Sequence, residues 1–288
     1  MPWSRIVSTI VALVLALGIT FVGGWYFTFG VGILIVLGHL EYLELVRAKG
    51  VVPAAKTSLF FSLSLLVFST VDSHLADALL PIAGTCICFY LLFKPKMATI
   101  ADLAASILGL FYIGYLPSFW VRLRTLGTAA FSNLPFNGYW PENWANFAAL
   151  PPGLTVTLLS FICISTADSA AYLGGKQFGR TPLSDISPKK TVEGAIFGVV
   201  SSVILATTGA WYLGWPAWQG TGVAFGMLLG VASLLGDLIE SLMKRDAGVK
   251  DSGKLIPGHG GILDRTDSYV FTAPLVYYFV TLFLPLFP

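Results

Sequence analysis

Apolar runs long enough to cross a bilayer recur along almost the whole chain, interrupted by short polar stretches. In hydrocarbon each backbone N–H and C=O must be satisfied within its own segment, so such runs are read as helices. Hydropathy predicts about nine spans, near Ile6–Val22, Trp25–Val46, Ser58–Val71, Leu75–Phe93, Ile100–Val121, Leu154–Gly174, Gly194–Trp215, Thr221–Met243 and Ser268–Phe287. With 56% hydrophobic residues and a mean hydropathy of +0.78, a soluble domain is excluded. The expected fold class is an all-α polytopic integral membrane protein. The first run follows Arg5, and no small-residue cleavage site precedes Trp25, so it is read as a membrane helix and not as a signal peptide. No Arg/Ser-rich leader is visible, which points to a bacterial-type cell membrane. Cys86, Cys88 and Cys163 lie in apolar segments without zinc-site spacing and read as packing residues.

The charges set an orientation. With the N-terminus cytoplasmic, Arg5, Arg47, Lys49, Lys56, Lys94, Lys96, Lys176, Arg180, Lys189 and Lys190 all fall inside. Only Arg122 and Arg124 fall outside, as the positive-inside rule favours. His39, Glu41 and Glu44 approach the cytoplasmic end of the second span, which leaves open that they border a site; the favoured expectation sets Glu41 and Glu44 at the headgroup level beside Arg47. Asp102 reads as a helix-start residue.

Only 11% of the residues are charged, yet the stretch Gly236–Asp267 concentrates them. Asp237, Glu240, Ser241 and Lys244 stand at i, i+3, i+4 and i+7, one face of a helix. Asp264 and Asp267 share the first turn of the next helix. Between them lie Lys244, Arg245, Lys250 and Lys254, and the run Pro257-Gly258-His259-Gly260-Gly261, which cannot continue a helix. Ionisable groups inside apolar segments are costly, and Asp237 and Glu240 have no topological use. Carboxylates suit a hard divalent cation; cations and glycine amides suit phosphates. That inventory points to phosphoryl or nucleotidyl transfer.

Two upstream pieces share this character. Asp168 is a carboxylate within an apolar span, followed by Gly174 and Gly175, where the helix is expected to break. Ser187 is placed to N-cap the seventh span with Pro188 at its first position, and Lys189, Lys190 and Thr191 follow for a phosphate.

Ser241-Leu-Met-Lys244-Arg245, Lys250-Asp251-Ser-Gly253 and Pro257-Gly-His259-Gly260-Gly261-Ile-Leu-Asp264-Arg265-Thr-Asp267 resemble the signature of the phosphatidate cytidylyltransferases, the CDP-diacylglycerol synthases. Asp168 with Ala171-Tyr172, and Ser187-Pro-Lys-Lys-Thr191 with Glu193-Gly194, resemble the same family; Val192 departs from it, standing where an aromatic residue is common. The resemblance runs from about Asp168 to Asp267 and implies that CTP and phosphatidic acid give CDP-diacylglycerol and pyrophosphate with Mg²⁺, with room for a monovalent cation such as K⁺. It implies metal ligation by Asp237, Asp264 and Asp267, with Asp168 beside them. Lys244, Arg245, Lys250 and Arg265 are assigned to the triphosphate and the leaving pyrophosphate. Ser187, Lys189, Lys190, Thr191, Ser241, His259, Gly260 and Gly261 are assigned to substrate. Residues 1–125 would be a lipid-facing scaffold and 126–288 the catalytic region of one integrated domain. The lipid bilayer is the expected environment and nucleic acid is no expected partner; a homodimer is left open. Two rival readings stay open from the residues: a CTP-dependent polyprenol or phytol kinase, which would release CDP, and an ion-coupled transporter, which would place its carboxylates at mid-membrane.

Overall fold

Every expected span becomes a helix. The computed structural model describes residues 2–141, 150–253 and 260–287. Among these, α1 (Pro2–Val22), α2 (Gly24–Ala48), α3 (Ala55–Val71) and α4 (Ser73–Leu92) are followed by α5 (Ile100–Thr125), α6 (Pro152–Phe178), α7 (Val192–Tyr212), α8 (Trp218–Asp246) and α9 (Leu263–Leu286). Seven of the helices are long and apolar enough to cross a membrane, and α1 and α3 contribute the shorter apolar stretches Leu13–Val22 and Ala55–Val71. Large apolar side chains such as Phe29, Phe93, Ile204 and Leu282 are exposed, as expected of helices that face lipid. The protein is a polytopic, all-helical membrane protein.

The chain divides into two compact units, Met1–Trp140 with Met243–Thr266, and Pro141–Leu242 with Asp267–Pro288. In the first unit, α2 buries a stripe at helical spacing, Phe27, Val31, Ile35, Gly38, Tyr42 and Leu45. A second cluster joins Leu65 of α3, Ala83, Ile87 and Leu91 of α4, and Leu110 of α5. A π-helical segment, Leu110–Tyr115, interrupts α5. Asp102 begins α5 as expected, closing a capping box with Thr99 and accepting from the Val52 N–H at 2.6 Å.

Arg122 and Arg124, the exceptions to the charge rule, are buried. Arg122 pairs with Asp77 at 2.8 Å, and Arg124 donates to the carbonyls of Thr20 and Phe21, both at 2.7 Å. These arginines satisfy the end of α1 and a neighbouring carboxylate. Hydrogen bonding and the ion pair account for their burial.

In the second unit small residues let helices approach closely. Gly222, Gly226 and Gly230 recur every four residues on α8, and a Cβ at Gly222 would lie 2.6 Å from Thr207 Cα of α7. One at Gly230 would lie 2.9 Å from Val199 Cα. Between membrane helices this backbone proximity supplies the packing that hydrophobic burial supplies in water. The same demand corrects one expectation: Gly174 and Gly175 do not end α6, which continues to Phe178. Gly174 instead makes room for Phe197, whose ring a Cβ there would meet at 2.6 Å.

Candidate active site

Three carboxylates converge in the second unit. Asp237 and Glu240 lie one turn apart on α8, and Asp267 lies near the start of α9. A ligand oxygen from each lies within 4.8 Å of the others. Gly236 makes the approach possible, since a Cβ there would meet the Asp267 carbonyl at 2.6 Å. Glu240 is fully buried and Asp267 is 9% exposed. At such separations each ionised pair repels by about 3–4 kcal/mol at an effective dielectric of about 20, far above thermal energy. Such a cluster calls for cations. One is at hand, for Lys190 Nζ lies 2.5 Å from Asp237 Oδ2. Ser241 Oγ donates weakly to Asp237 Oδ1 at 3.4 Å, and Ser268 Oγ lies 3.5 Å from Asp168 Oδ1.

Lys190 is delivered by a folded turn between α6 and α7. The Leu183 N–H donates to the Lys190 carbonyl at 2.8 Å, and the Lys190 N–H donates to the Ser187 carbonyl at 3.0 Å. Glu193 accepts from the backbone N–H groups of Arg180 and Thr181, closing the turn from the helix side. This corrects the expected cap. α7 begins at Val192, with Thr191 as its N-cap accepting from the Gly194 N–H at 3.2 Å, so Pro188 lies outside the helix and Ser187 does not cap it. Thr191 wins because the turn uses the Ser187 carbonyl, and because Gly194, three residues after Thr191, leaves α7 free to approach Ala171 of α6. Lys189 is exposed.

A second network occupies the first unit. Lys244 Nζ lies 2.6 Å from Asp264 Oδ1, both side chains being 11% exposed. Asp264 Oδ2 accepts from the Gly261 N–H at 2.8 Å and from Ser252, through its N–H and its Oγ, at 3.0 Å each. Gly260 has φ +81°, a conformation that favours glycine, and a Cβ there would crowd Asp264 Oδ2 at 2.8 Å. Arg245 is exposed and donates to the Val249 carbonyl at 3.2 Å; Lys250 and Arg265 are also exposed. His259, with Lys254 and Pro257, lies outside the described residues.

Glu41 completes this network from α2. It accepts from the N–H of Ile262 at 2.8 Å, the N–H of Leu263 at 2.9 Å and the Oγ of Ser252 at 3.0 Å. It is 2% exposed, whereas Glu44 is exposed. Glu41 is therefore not a headgroup-level partner of Arg47. Two backbone amides and the Ser252 hydroxyl, which it shares with Asp264, hold it in the interior.

The family described as the cytidylyltransferase family matches residues 3–283 of the 288. The chain belongs to the cytidylyltransferase family. It is 61% identical to a phosphatidate cytidylyltransferase of Synechocystis sp. over 289 aligned positions, covering 99% of this chain and 98% of that one. It is 44% identical to phosphatidate cytidylyltransferase 4, chloroplastic, of Arabidopsis thaliana over 272 positions, 92% of this chain and 70% of that one. A phosphatidate cytidylyltransferase of Bacillus subtilis matches at 43% over 132 positions, 46% of this chain and 49% of that one.

In this family member, sequence spacing already pointed to Asp237 and Asp267, which the structure brings together with Glu240. Asp264, expected as a ligand, is engaged by Lys244, Ser252 and Gly261. Glu240 shares the helix face of Asp237 by spacing and counts among the carboxylates suited to a divalent cation, but the family resemblance does not name it as a ligand. Its i+3 spacing from Asp237 was the available signal, and its partner on α9 was not. For Glu41 the structure overturns the headgroup reading and not the alternative that it borders a site, and its spacing carries the signal: it falls three residues after buried Gly38 and four before buried Leu45, on the core stripe of α2.

Proposed function

We propose that this chain transfers the cytidylyl group of CTP to phosphatidic acid, giving CDP-diacylglycerol and pyrophosphate, on the cytoplasmic side of a bacterial-type cell membrane. The observation that carries the reading is the convergence of Asp237, Glu240 and Asp267, with Lys190 at its edge, in a chain so similar to phosphatidate cytidylyltransferases. Carboxylate oxygens are the donors that a small, hard divalent cation takes, so the three fit Mg²⁺, and a monovalent cation such as K⁺ accepts the same donor type. When bound, Mg²⁺ supplies charge neutralisation for phosphate oxygens.

The protein's own groups supply the rest. Lys190 lies between the acidic cluster and the turn that carries Ser187, Lys189 and Thr191, so its ammonium is placed to exchange Asp237 for a phosphate. Lys244, Arg245, Lys250 and Arg265 neutralise the triphosphate and the departing pyrophosphate. Asp264 holds Lys244 in place. An oxygen of the phosphatidate phosphate bonds to the α-phosphorus of CTP as the α–β bridging bond breaks, and the bridging oxygen leaves with pyrophosphate. The attacking phosphate is already anionic at neutral pH, so positioning and charge neutralisation suffice and no general base is required. The lysine and arginine distribution supports the cytoplasmic placement. Every residue named comes from one chain, so the reading makes no demand for a homodimer.

The test uses purified protein in detergent with phosphatidate, Mg²⁺ and CTP labelled on the α- or the γ-phosphate, beside a folded Asp237→Asn variant. The α-label is expected in the lipid and the γ-label in pyrophosphate, with no transfer by the variant. γ-Label in the lipid would mean phosphoryl transfer and overturn the proposal, as would no movement of either label under any cation condition.

A further inference from the structure

We propose that Glu41 is a positioning residue for the reaction, fixing both ends of the signature loop and, through Ser252, the Asp264–Lys244 pair. The inference rests on the cytidylyl-transfer reading for its kinetic consequence, but its geometry stands apart from that reading.

Four observations converge. The Glu41 carboxylate collects three donors, one from Ser252 before the glycine-rich loop and two from Ile262 and Leu263 after it. The two backbone donors stand at the N-terminus of α9, where amides lack intrahelical partners and a negative charge is favoured. Ser252 Oγ lies 3.0 Å from both Glu41 Oε2 and Asp264 Oδ2, so one hydroxyl couples the buried carboxylate to the one that holds Lys244. Finally, the glycines at the two ends of the loop are shaped to Glu41. A Cβ at Gly253 would lie 2.5 Å from Glu41 Oε1, and a Cβ at Gly261 would overlap both the Glu41 carboxylate and Ser252 Oγ. Gly253 and Gly261 thus have a steric reason that involves no phosphate. The Gly261 amide is itself donated to Asp264.

A bystander that merely caps α9 would affect stability alone. A positioning residue affects turnover in molecules that stay folded. Gln at this position is nearly isosteric but turns one acceptor into a donor facing donors, and it removes the charge that strengthens all three bonds. Asp retains the charge and withdraws it by one methylene.

The full-length protein in detergent is assayed for kcat, KM for CTP and apparent Tm as wild type, Glu41→Gln, Glu41→Asp and Gly253→Ala, with hydrogen–deuterium exchange over residues 260–263. Glu41→Gln is expected to lower kcat by about 10- to 100-fold when assayed well below its own Tm, where the variant is folded, and to speed exchange of the Ile262 and Leu263 amides. Glu41→Asp should recover part of the loss, and Gly253→Ala, with Glu41 intact but crowded, should lower kcat in the same direction. Wild-type kcat in Glu41→Gln, or a loss that only tracks a falling Tm, overturns the proposal. If Glu41→Gln does not fold, wild-type kcat in Gly253→Ala overturns it instead. If the wild type transfers no cytidylyl group, the function reading fails, and the exchange measurement alone decides whether Glu41 fixes the loop.

Discussion

Lys244 and Asp264 show how a single pair ties a charged stretch together. Both side chains are 11% exposed and their polar atoms are 2.6 Å apart. A pair this sheltered is vulnerable to loss of one partner, because the remaining charge keeps its desolvation cost without its attraction. Lys244→Met and Asp264→Leu are each expected to destabilise the protein by about 3 kcal/mol, and the double substitution by clearly less than the sum. Unfolding of the single and double variants in detergent measures this; strict additivity would mean that the two groups do not interact. Lys244 and Asp264 were legible as charged signature residues. Their pairing was not, because sequence spacing says nothing of which carboxylate a lysine 20 residues away will choose. Lys190 presents the same problem: it read as a phosphate ligand, and the structure gives it an ion pair with Asp237.

At the scale of elements, hydropathy located the nine helices of the described residues, seven of them long and apolar enough to cross a membrane, because a bilayer demands apolar, internally hydrogen-bonded segments. Their ends were less legible. Gly174-Gly175 looks like a break by intrinsic propensity, but packing against Phe197 outweighs the helix cost of glycine, roughly 1 kcal/mol per residue. Thr191 displaced Ser187 as the cap because the intervening turn has its own hydrogen bonds. The glycines of α8 give a matched test of packing against propensity. Gly226 faces the backbone of Ser202 and Val203, whereas a Cβ at Gly220 would meet nothing within 4 Å. Gly226→Leu is expected to destabilise by about 1–3 kcal/mol or more through overpacking. Gly220→Ala should be neutral or stabilising by under about 1 kcal/mol. Apparent Tm of the two variants decides, and equal effects would remove the close-packed seam from the account.

For the whole molecule, composition fixed the class and the signature fixed the family, but each left out a contribution from a distant segment. Glu41, more than 200 residues before its partners in the chain, makes α2 part of the machinery that a local motif reading assigns to the C-terminal half. Glu240 joins Asp237 by spacing, yet only the fold brings Asp267 to them. The central claim is that these three carboxylates serve a divalent cation during cytidylyl transfer. Its most direct test is the Mg²⁺ dependence of cytidylyl transfer by the wild type and by Glu240→Gln, a neutral isostere at the fully buried member of the three. The account predicts that half-saturation by Mg²⁺ rises by about 10- to 100-fold or more, with the variant still folded. A superimposable Mg²⁺ curve would contradict it.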